Sequence, residues 1–420
     1  MLKKFATLVF FIIAFNAILP AQTGNTPIAT FTTKQNRIKE YRNLLNYSIK
    51  KNLSLPLTDS TEEYWQDAFL AMELLQYHSP WIDGRVKFAF DSITIRSDEF
   101  KRAFIELVYS NYPRQFVVQV AHLLKQTTNS RLFAMCSEYL LLNDEKGIYK
   151  DSILKRMDEL LLIKNDSTAN PYFTMLQNKI LLPSKPIPLS AITETSFLKN
   201  EIVLFSFQRK NRNYPGLAMI RGKDGKFLKD DNGVYFGVPQ LARSLSNMPG
   251  YISNGNTPQG IFKMTGFGKS LGNFIGPTEN IQMVLPFEKS EDIPDSVTIH
   301  FGNAYASLVP AACKDVYSFY EAWYAGLAGR TEIIAHGTTV NPAYYSNQPY
   351  YPLTPTQGCL CTKEIWSEVN GKRLISDQQK LVNALKMIGG AKGYCVVVEI
   401  DDAQKPVSLQ DILPYLEKEK

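Results

Sequence analysis

The chain has 420 residues, of which 45% are hydrophobic and 20% are charged. This balance is typical of a folded protein and argues against a disordered one. The length allows two or three units that each bury a core. The 46 basic and 40 acidic residues give a formal net charge of +6 that is spread along the chain. Without a dense Lys/Arg run, the composition gives no support to nucleic-acid binding, and none is expected.

The first residues have the pattern of a secretory signal peptide. Lys3 and Lys4 precede the apolar run FATLVFFIIAFNAIL, which ends at Pro20-Ala21-Gln22. Such a run is shorter than the apolar stretch that a membrane-spanning helix needs. We therefore predict that residues 1–21 are a cleaved signal peptide and that the protein is exported to the periplasm or cell envelope. An uncleaved N-terminal anchor is the alternative.

Residues 30–165 are predicted to form a helical domain. Apolar residues recur at helical spacing from Ile38 onwards, and Ser60-Thr61-Glu62-Glu63 is a capping box ahead of Trp65. Pro113 suits the first turn of a further helix. No fixed repeat is present, so we expect a bundle or an irregular solenoid.

The composition changes after residue 165. Residues 166–198 are rich in polar and proline residues and are predicted to be an interdomain linker. Residues 199–405 are predicted to be a mainly β domain, and residues 406–420 a C-terminal tail. The strand-like runs of the β domain include EIVLFSFQRK, GIFKM, VTIHF, EIIAH and CVVVEI. The predicted fold class is α+β, a helical domain followed by a mainly β domain.

The cysteine count bears on chemistry. Five cysteines guarantee at least one unpaired thiol in a monomer, even in an oxidising compartment: Cys136, Cys313, Cys359, Cys361 and Cys395. In the strand-like Cys-Leu-Cys of residues 359–361, the two thiols point to the same side. One hypothesis pairs Cys361 with Cys395 if their strands adjoin, which leaves Cys359 free.

A histidine and a cysteine near the end of the chain are candidates for nucleophilic catalysis. His336 follows the apolar run EIIA and stands at a strand end, and Cys359 follows Gly358. A cysteine nucleophile needs an imidazole within hydrogen-bond reach and a third group that orients the ring. The Gly337 carbonyl is suited to orient it, and glycine at 358 leaves room for a substrate carbonyl against backbone N–H groups.

Other interpretations of these residues stay open from spacing alone. His336 and Cys359 can be unrelated in the fold. A metal site of His336, Cys359 and Cys361 is disfavoured because it lacks the usual Cys-x-x-Cys spacing and a fourth ligand. His300, in VTIHF, is a weak rival base. The tyrosine-rich stretch between His336 and Cys359 is long enough to form a wall of a substrate groove, with Tyr345 and Tyr351 as candidate contacts.

Motifs in this region resemble the catalytic domain of L,D-transpeptidases, the YkuD-like family of exported cysteine enzymes. They are His336-Gly337-Thr338, Thr356-Gln357-Gly358-Cys359 and, upstream, the TPQGIF of Thr257–Phe262. The resemblance covers roughly residues 200–402. Gln357 stands where the family has a second histidine, and Cys361 where it has Asn or Arg. The spacer after the His-Gly pair is also longer than in the family.

The resemblance implies a reaction and a role for each matching residue. Cys359 is the nucleophile, His336 the base and the Gly337 carbonyl the orienting group. The N–H groups of Gly358 and Cys359 hold the oxyanion, while Thr356 supports the turn and Gln357 faces the substrate. The implied partners are peptidoglycan stem peptides, cut between diaminopimelate and D-alanine, and neither a metal nor an organic cofactor is implied. The alternative is a peptidoglycan-binding or envelope scaffold protein without turnover.

Overall fold

The computed structural model describes residues 26–164, 170–270, 272–290 and 293–416, so the predicted signal peptide lies outside the described residues. Within these ranges the chain is a mixed α/β molecule, in which helices come first and a closed eight-stranded β-barrel follows. No helix of the described ranges is long and apolar enough to cross a membrane.

The first helices form what we call the helical part. Its elements are α1 (Lys34–Asn43), α2 (Asn52–Ser54), α3 (Glu62–Leu75), α4 (Pro80–Asp91), α5 (Asp98–Asn111), α6 (Val117–Gln126), α7 (Ser130–Leu142), α8 (Ile148–Lys164), α9 (Pro171–Leu181) and α10 (Leu189–Thr193). A π-helical segment, Leu44–Lys51, joins α1 to α2.

Local sequence explains where several of these helices begin. The side chains of Ser79, Ser97, Asn129 and Asn170 accept hydrogen bonds from first-turn N–H groups of α4, α5, α7 and α9. The capping box before α3 uses Thr58 and Thr61, so it starts two residues earlier than predicted.

The predicted position of Pro113 was wrong. It lies in the turn between α5 and α6, and α6 begins only at Val117. Proline lacks an N–H and tolerates a turn as well as a first helical turn, so its presence alone did not distinguish the two.

The strands follow, with four more helices among and after them, and together they form the barrel part. The strands are β1 (Ile202–Arg209), β2 (Gly216–Arg221), β3 (Val238–Leu241), β4 (Gly260–Gly268), β5 (Asn280–Val284), β6 (Ile334–His336), β7 (Leu360–Thr362), β8 (Glu364–Trp366), β9 (Arg373–Ser376) and β10 (Gly393–Asp401). The helices are α11 (Asp295–Leu308), α12 (Glu321–Leu327), α13 (Asp377–Met387) and α14 (Leu409–Leu416).

The barrel closes in the order β1-β10-β4-β5-β6-β7-β3-β2, while β8 and β9 pair separately. Alternate strand residues form one apolar cluster that includes Leu204, Phe262 and Leu360 and is joined by Leu381 of α13. Because successive strand side chains point to opposite faces, their neighbours face outwards. On β1 and β10 these outward residues pack with α10, α11 and α14.

The helical part and the barrel part share one core. The apolar cluster of α3, α5 and α7 also contains Met248, Ile252, Tyr345 and Tyr350, which all belong to loops of the barrel part. Hydrogen bonds cross the same boundary, because the Tyr345 hydroxyl donates to the Leu74 carbonyl at 2.8 Å. The two parts therefore pack as one body.

The described part of the predicted linker at 166–198, which is residues 170–198, contains packed helices and is not a linker. Helix α9 buries Phe173 and Leu176 in the helical core, and α10 buries Leu189 and Ile192 against the barrel. The three prolines of residues 183–188 stand between these helices and prevent α9 from continuing.

The predicted tail at residues 406–420 also contains packed structure, up to its last described residue, 416. Ile412 of α14 is fully buried, and the fully buried Arg209 side chain donates to both carboxylate oxygens of Asp401 and to Asp411. Paired burial of a charged side chain requires its partners to stay in place, so α14 is part of the barrel part.

The run VTIHF is helical and not a strand. It lies in α11, where the buried residues Thr298, Phe301, Gly302 and Tyr305 recur at helical spacing. A five-residue run is too short to separate the two periods from sequence. His300 lies on the exposed side of this helix.

Candidate active site

The candidate residues lie on two neighbouring strands. Strands β6 and β7 are parallel, with Ala335 paired to Leu360 and His336 paired to Cys361. Ala335 and Leu360 belong to the apolar cluster inside the barrel. By strand alternation His336, Cys361 and Cys359 share the opposite, outward face. The fold thus places His336 on the same face as Cys359, which directly precedes β7, while the strand register pairs His336 with Cys361.

His336 is held as a neutral imidazole. Its Nδ1 and the Gly337 carbonyl form a hydrogen bond, and a carbonyl can only accept, so Nδ1 carries the proton. The other ring nitrogen, Nε2, is then the unprotonated one, able to take a proton. Burial lowers the pKa of His336 to about 4, although the Gly337 carbonyl acts in the opposite direction. At neutral pH the ring is a base.

The Gly337 backbone is packed against Glu364 of β8. A Cβ at position 337 would lie 2.2 Å from Cδ of Glu364, which explains why glycine stands there. The Glu364 carboxylate accepts from Thr278 at 2.6 Å and from Ser376 at 2.5 Å through Oε1, while Oε2 is buried without a partner. Burial raises the pKa of Glu364 to about 7.

The Cys359 thiol is hydrogen-bonded to the backbone of Glu332 and Ile334 at the start of β6, and not to His336. It donates to the Glu332 carbonyl at 3.5 Å and accepts from the Ile334 N–H at 3.5 Å. Burial raises the pKa of Cys359 to about 11. The Ile334 N–H and Arg330 act to lower it, while Glu332 and Glu288 raise it further. The thiol is therefore protonated in this arrangement.

The turn before Cys359 is built by hydroxyl groups. Thr356 Oγ1 accepts from the Gly358 N–H at 3.0 Å and donates to the Cys359 carbonyl at 2.9 Å. The Thr257 hydroxyl, from the TPQGIF motif, donates to the Gly358 carbonyl at 2.8 Å. Gly358 adopts φ +119°, which favours glycine. Because its N–H is already used by Thr356, Gly358 is not a free oxyanion donor, in contrast to the expectation.

Arg330 packs against the turn before Cys359, and the sequence did not indicate it as a site residue. Its guanidinium donates to the carbonyls of Gly250, Ile252, Gly255 and Asn256. A Cβ at Gly358 would overlap its Nη2 atom. The side chain thus fixes the loop at residues 250–256 and lends positive charge to Cys359. The sequence signal was weak, a single arginine six residues before His336.

The two tyrosines predicted to contact substrate have different surroundings. Tyr345 is fully buried in the shared core, so its role as a substrate contact is corrected to a structural one. An aromatic side chain buries a large apolar area, and the helical part supplies the cavity. Tyr351 is 50% exposed, and Gln357 and Thr356 are partly exposed near the thiol.

The remaining cysteines do not pair as hypothesised. Cys361 is fully buried on the outward face of β7 near Thr354, whereas Cys395 lies inside the barrel on β10. Strands β7 and β10 are not neighbours, so the Cys361–Cys395 disulfide is excluded. All five cysteines are free thiols.

Within the described ranges, no three side chains of His, Cys, Asp or Glu are grouped so as to hold a metal ion.

Comparison with known proteins adds no relative. No family model matches the chain, no curated protein matches it, and no solved structure matches its fold.

Proposed function

We propose that the protein is an exported L,D-transpeptidase-like enzyme that acts on peptidoglycan stem peptides. The observation that carries the proposal is the arrangement of His336 and Cys359 on one face of adjacent parallel strands, with Nδ1 of His336 engaged by the Gly337 carbonyl. This leaves Nε2 as the base on the side of the sheet that bears the thiol. The resemblance of the motifs around both residues supplies the reaction.

In the proposed reaction, His336 takes the Cys359 proton and the sulfur attacks the carbonyl between diaminopimelate and the terminal D-alanine. The C–N bond breaks, His336 returns the proton to the departing amine, and D-alanine leaves. An amine of a neighbouring stem peptide, or water, then attacks the thioester carbonyl. The C–S bond breaks, and His336 passes the proton of the attacking group to the Cys359 sulfur, which restores the thiol. The amine makes a cross-link, whereas water trims the stem. The chain's own groups hold and move the proton throughout.

A scaffold protein that binds peptidoglycan without turnover is the second candidate. It is favoured by the Cys359 thiol bonding to the Glu332 carbonyl instead of to His336, and by the engaged Gly358 N–H. Both features describe a site that is not poised for attack.

Products formed from purified disaccharide tetrapeptides separate the candidates. We expect the full chain, freed of residues 1–21, to release D-alanine and to form cross-linked dimers, as read by mass spectrometry. Cys359→Ala is expected to abolish both products, while Cys361→Ala, the matched thiol deletion two residues away, is expected to retain them. Tripeptide without dimers indicates trimming, and retained binding without turnover by the unmodified chain supports the scaffold.

A further inference from the structure

The segment that binds the thiol has an unusual backbone. Glu332 lies between α12 and β6 with φ +60°, in the left-handed region that residues with long side chains rarely adopt. Such a conformation persists only where its surroundings hold it. Its carbonyl is the acceptor of the Cys359 thiol, so whatever holds this turn also sets the environment of the sulfur.

Glu288 holds the turn. Its Oε1 accepts from the Glu332 N–H at 2.9 Å, and its Oε2 accepts from the Leu285 N–H at 2.8 Å. The residue is 2% exposed, so these two bonds replace its hydration. In a glutamine one of these two oxygen positions carries an NH2 group, which cannot accept, and the side chain has no charge, so one of the two N–H groups loses its acceptor.

The arrangement favours a protonated sulfur. A thiol donates to the Glu332 carbonyl, whereas a thiolate would meet that oxygen without a proton between them. The negative charges of Glu288 and Glu332 act on Cys359 in the same direction. Among the described groups that act on the Cys359 sulfur, the Ile334 N–H and Arg330 favour the thiolate.

We propose that Glu288 is a positioning residue that, through the turn carrying Glu332, keeps the Cys359 thiol in a resting, protonated state until substrate draws it towards His336. This rests on the proposed function only in taking Cys359 as the nucleophile. The two hydrogen bonds of the Glu288 carboxylate go to backbone N–H groups and not to the sulfur, so it acts through the backbone and through its charge.

The titration of Glu288 makes the proposal testable. Burial raises the pKa of Glu288 to about 7, with the nearby Glu332 adding to the rise and its two N–H partners opposing it. The charge of Glu332 also acts on Cys359. The further groups that face the thiol are Arg330, Cys361 and His336, with pKa values of about 10, about 12 and about 4. None of these three changes charge near neutral pH.

The experiment measures the rate at which iodoacetamide alkylates Cys359, read on the Cys359 peptide by mass spectrometry from about pH 6 to about pH 9. We expect Glu288→Gln and the unmodified chain to react alike near pH 6, where Glu288 is itself protonated. Above about pH 8 the variant should react faster by about threefold to tenfold, since one unit of thiol pKa is a tenfold change in thiolate.

Glu364→Gln is the matched control. Glu364 also has a pKa of about 7, but it faces Cys361 and Gly337. Its rate ratio to the unmodified chain should not rise through pH 7. The proposal is overturned if the alkylation rate of Glu288→Gln relative to the unmodified chain is constant with pH, or if the variant reacts more slowly. It is also overturned if Glu364→Gln shows the same rise in relative rate through pH 7. The muropeptide assay tests the proposed reaction separately. If no muropeptide product forms but the relative alkylation rate of Glu288→Gln still rises through pH 7, the proposed reaction is wrong and the role of Glu288 stands.

Discussion

At the scale of single residues, backbone geometry and burial decide what the candidate site does. Glycine at 337 is required by a neighbouring carboxylate, and glycine at 358 by φ +119° and the Arg330 guanidinium. Burial keeps His336 neutral and Cys359 protonated, and the Glu332 carbonyl accepts the hydrogen bond of the thiol. The motif residues therefore have a physical reason that does not depend on their resemblance to a family.

Gly337→Ala should destabilise the protein and displace the carbonyl that orients His336. The new Cβ would lie 2.2 Å from Glu364 Cδ, and such overpacking costs about 1–3 kcal/mol. Urea unfolding measures the change. Gly84→Ala is the control, since its Cβ in α4 meets nothing within 4 Å and the substitution should stabilise by about 0.5–1 kcal/mol. A Gly337→Ala variant as stable as the unmodified chain contradicts the packing argument.

His336 should contribute a pH-dependent stability. Its folded pKa of about 4 lies below the ordinary histidine value of 6.5, so the unfolded chain binds the proton more readily. Its contribution is complete above pH 6.5 and is lost as the pH falls to about 4, by about 3 kcal/mol in all. The measurement is the difference in unfolding free energy between the unmodified chain and His336→Gln across this range.

The buried acids Glu288 and Glu364 also titrate in this pH range. They are present in both the unmodified chain and His336→Gln, so their effect cancels in the difference between the two unfolding free energies. With raised pKa values they act in the opposite sense, adding stability as the pH falls through about 7. A difference between the two proteins that does not change with pH would show that His336 is not kept neutral by the fold.

At the scale of elements, the loop between β6 and β7 is a docking segment of the barrel part. It places Tyr345 and Tyr350 in the core of the helical part, and Gln76 of the helical part donates to the Tyr350 hydroxyl at 3.1 Å. The length of this loop is thus explained by the second part of the molecule, to which it must reach. The spacer between the two motifs is structural over much of its length.

Tyr345→Phe should destabilise by about 1–2 kcal/mol, because the Leu74 carbonyl loses its donor in a buried place. Tyr351→Phe, the same change on the half-exposed tyrosine of the loop, should leave unfolding by urea unchanged. The binding of muropeptides by Tyr345→Phe and by the unmodified chain is measured alongside stability. If Tyr345→Phe lowers binding without lowering stability, the structural role assigned to Tyr345 is wrong.

At the scale of the whole molecule, one core extends from the helical part into the barrel part. The first described residues pack against the barrel part, where the Ala29 N–H donates to the Gly371 carbonyl at 2.8 Å. The chain then builds the helices before it forms the barrel. The helical part therefore supports the loops around the candidate site and is not an independent appendage.

The two parts should unfold together. Trp65 of α3 and Trp366 of β8 are buried reporters of the helical part and the barrel part. The chain has four tryptophans, and in variants that keep Trp65 alone or Trp366 alone, fluorescence should give the same urea midpoint, as a cooperative transition requires. Two separated midpoints would show that the shared core does not couple the parts.

The sequence by itself determined what depends on near neighbours in the chain. The period of apolar residues predicted the helices of residues 30–165 and the strands at EIVLFSFQRK, EIIAH and CVVVEI, because a helix or strand sorts its own side chains between buried and exposed faces. The His-Gly and Gly-Cys pairs were recognisable for the same reason, since their turns are local.

The tertiary structure alone decided which distant residues surround that site. Glu288, Arg330 and Glu364 carry no motif, and they matter only because the barrel closes around β6 and β7. Tyr345 contacts Leu74 across 271 positions of sequence, and no local pattern encodes such a partner. The hydrogen bond of the Cys359 thiol to a carbonyl in place of an imidazole is likewise set by how the segment before β6 is folded. Strand alternation put the thiol on the face of His336, and packing determined its partner.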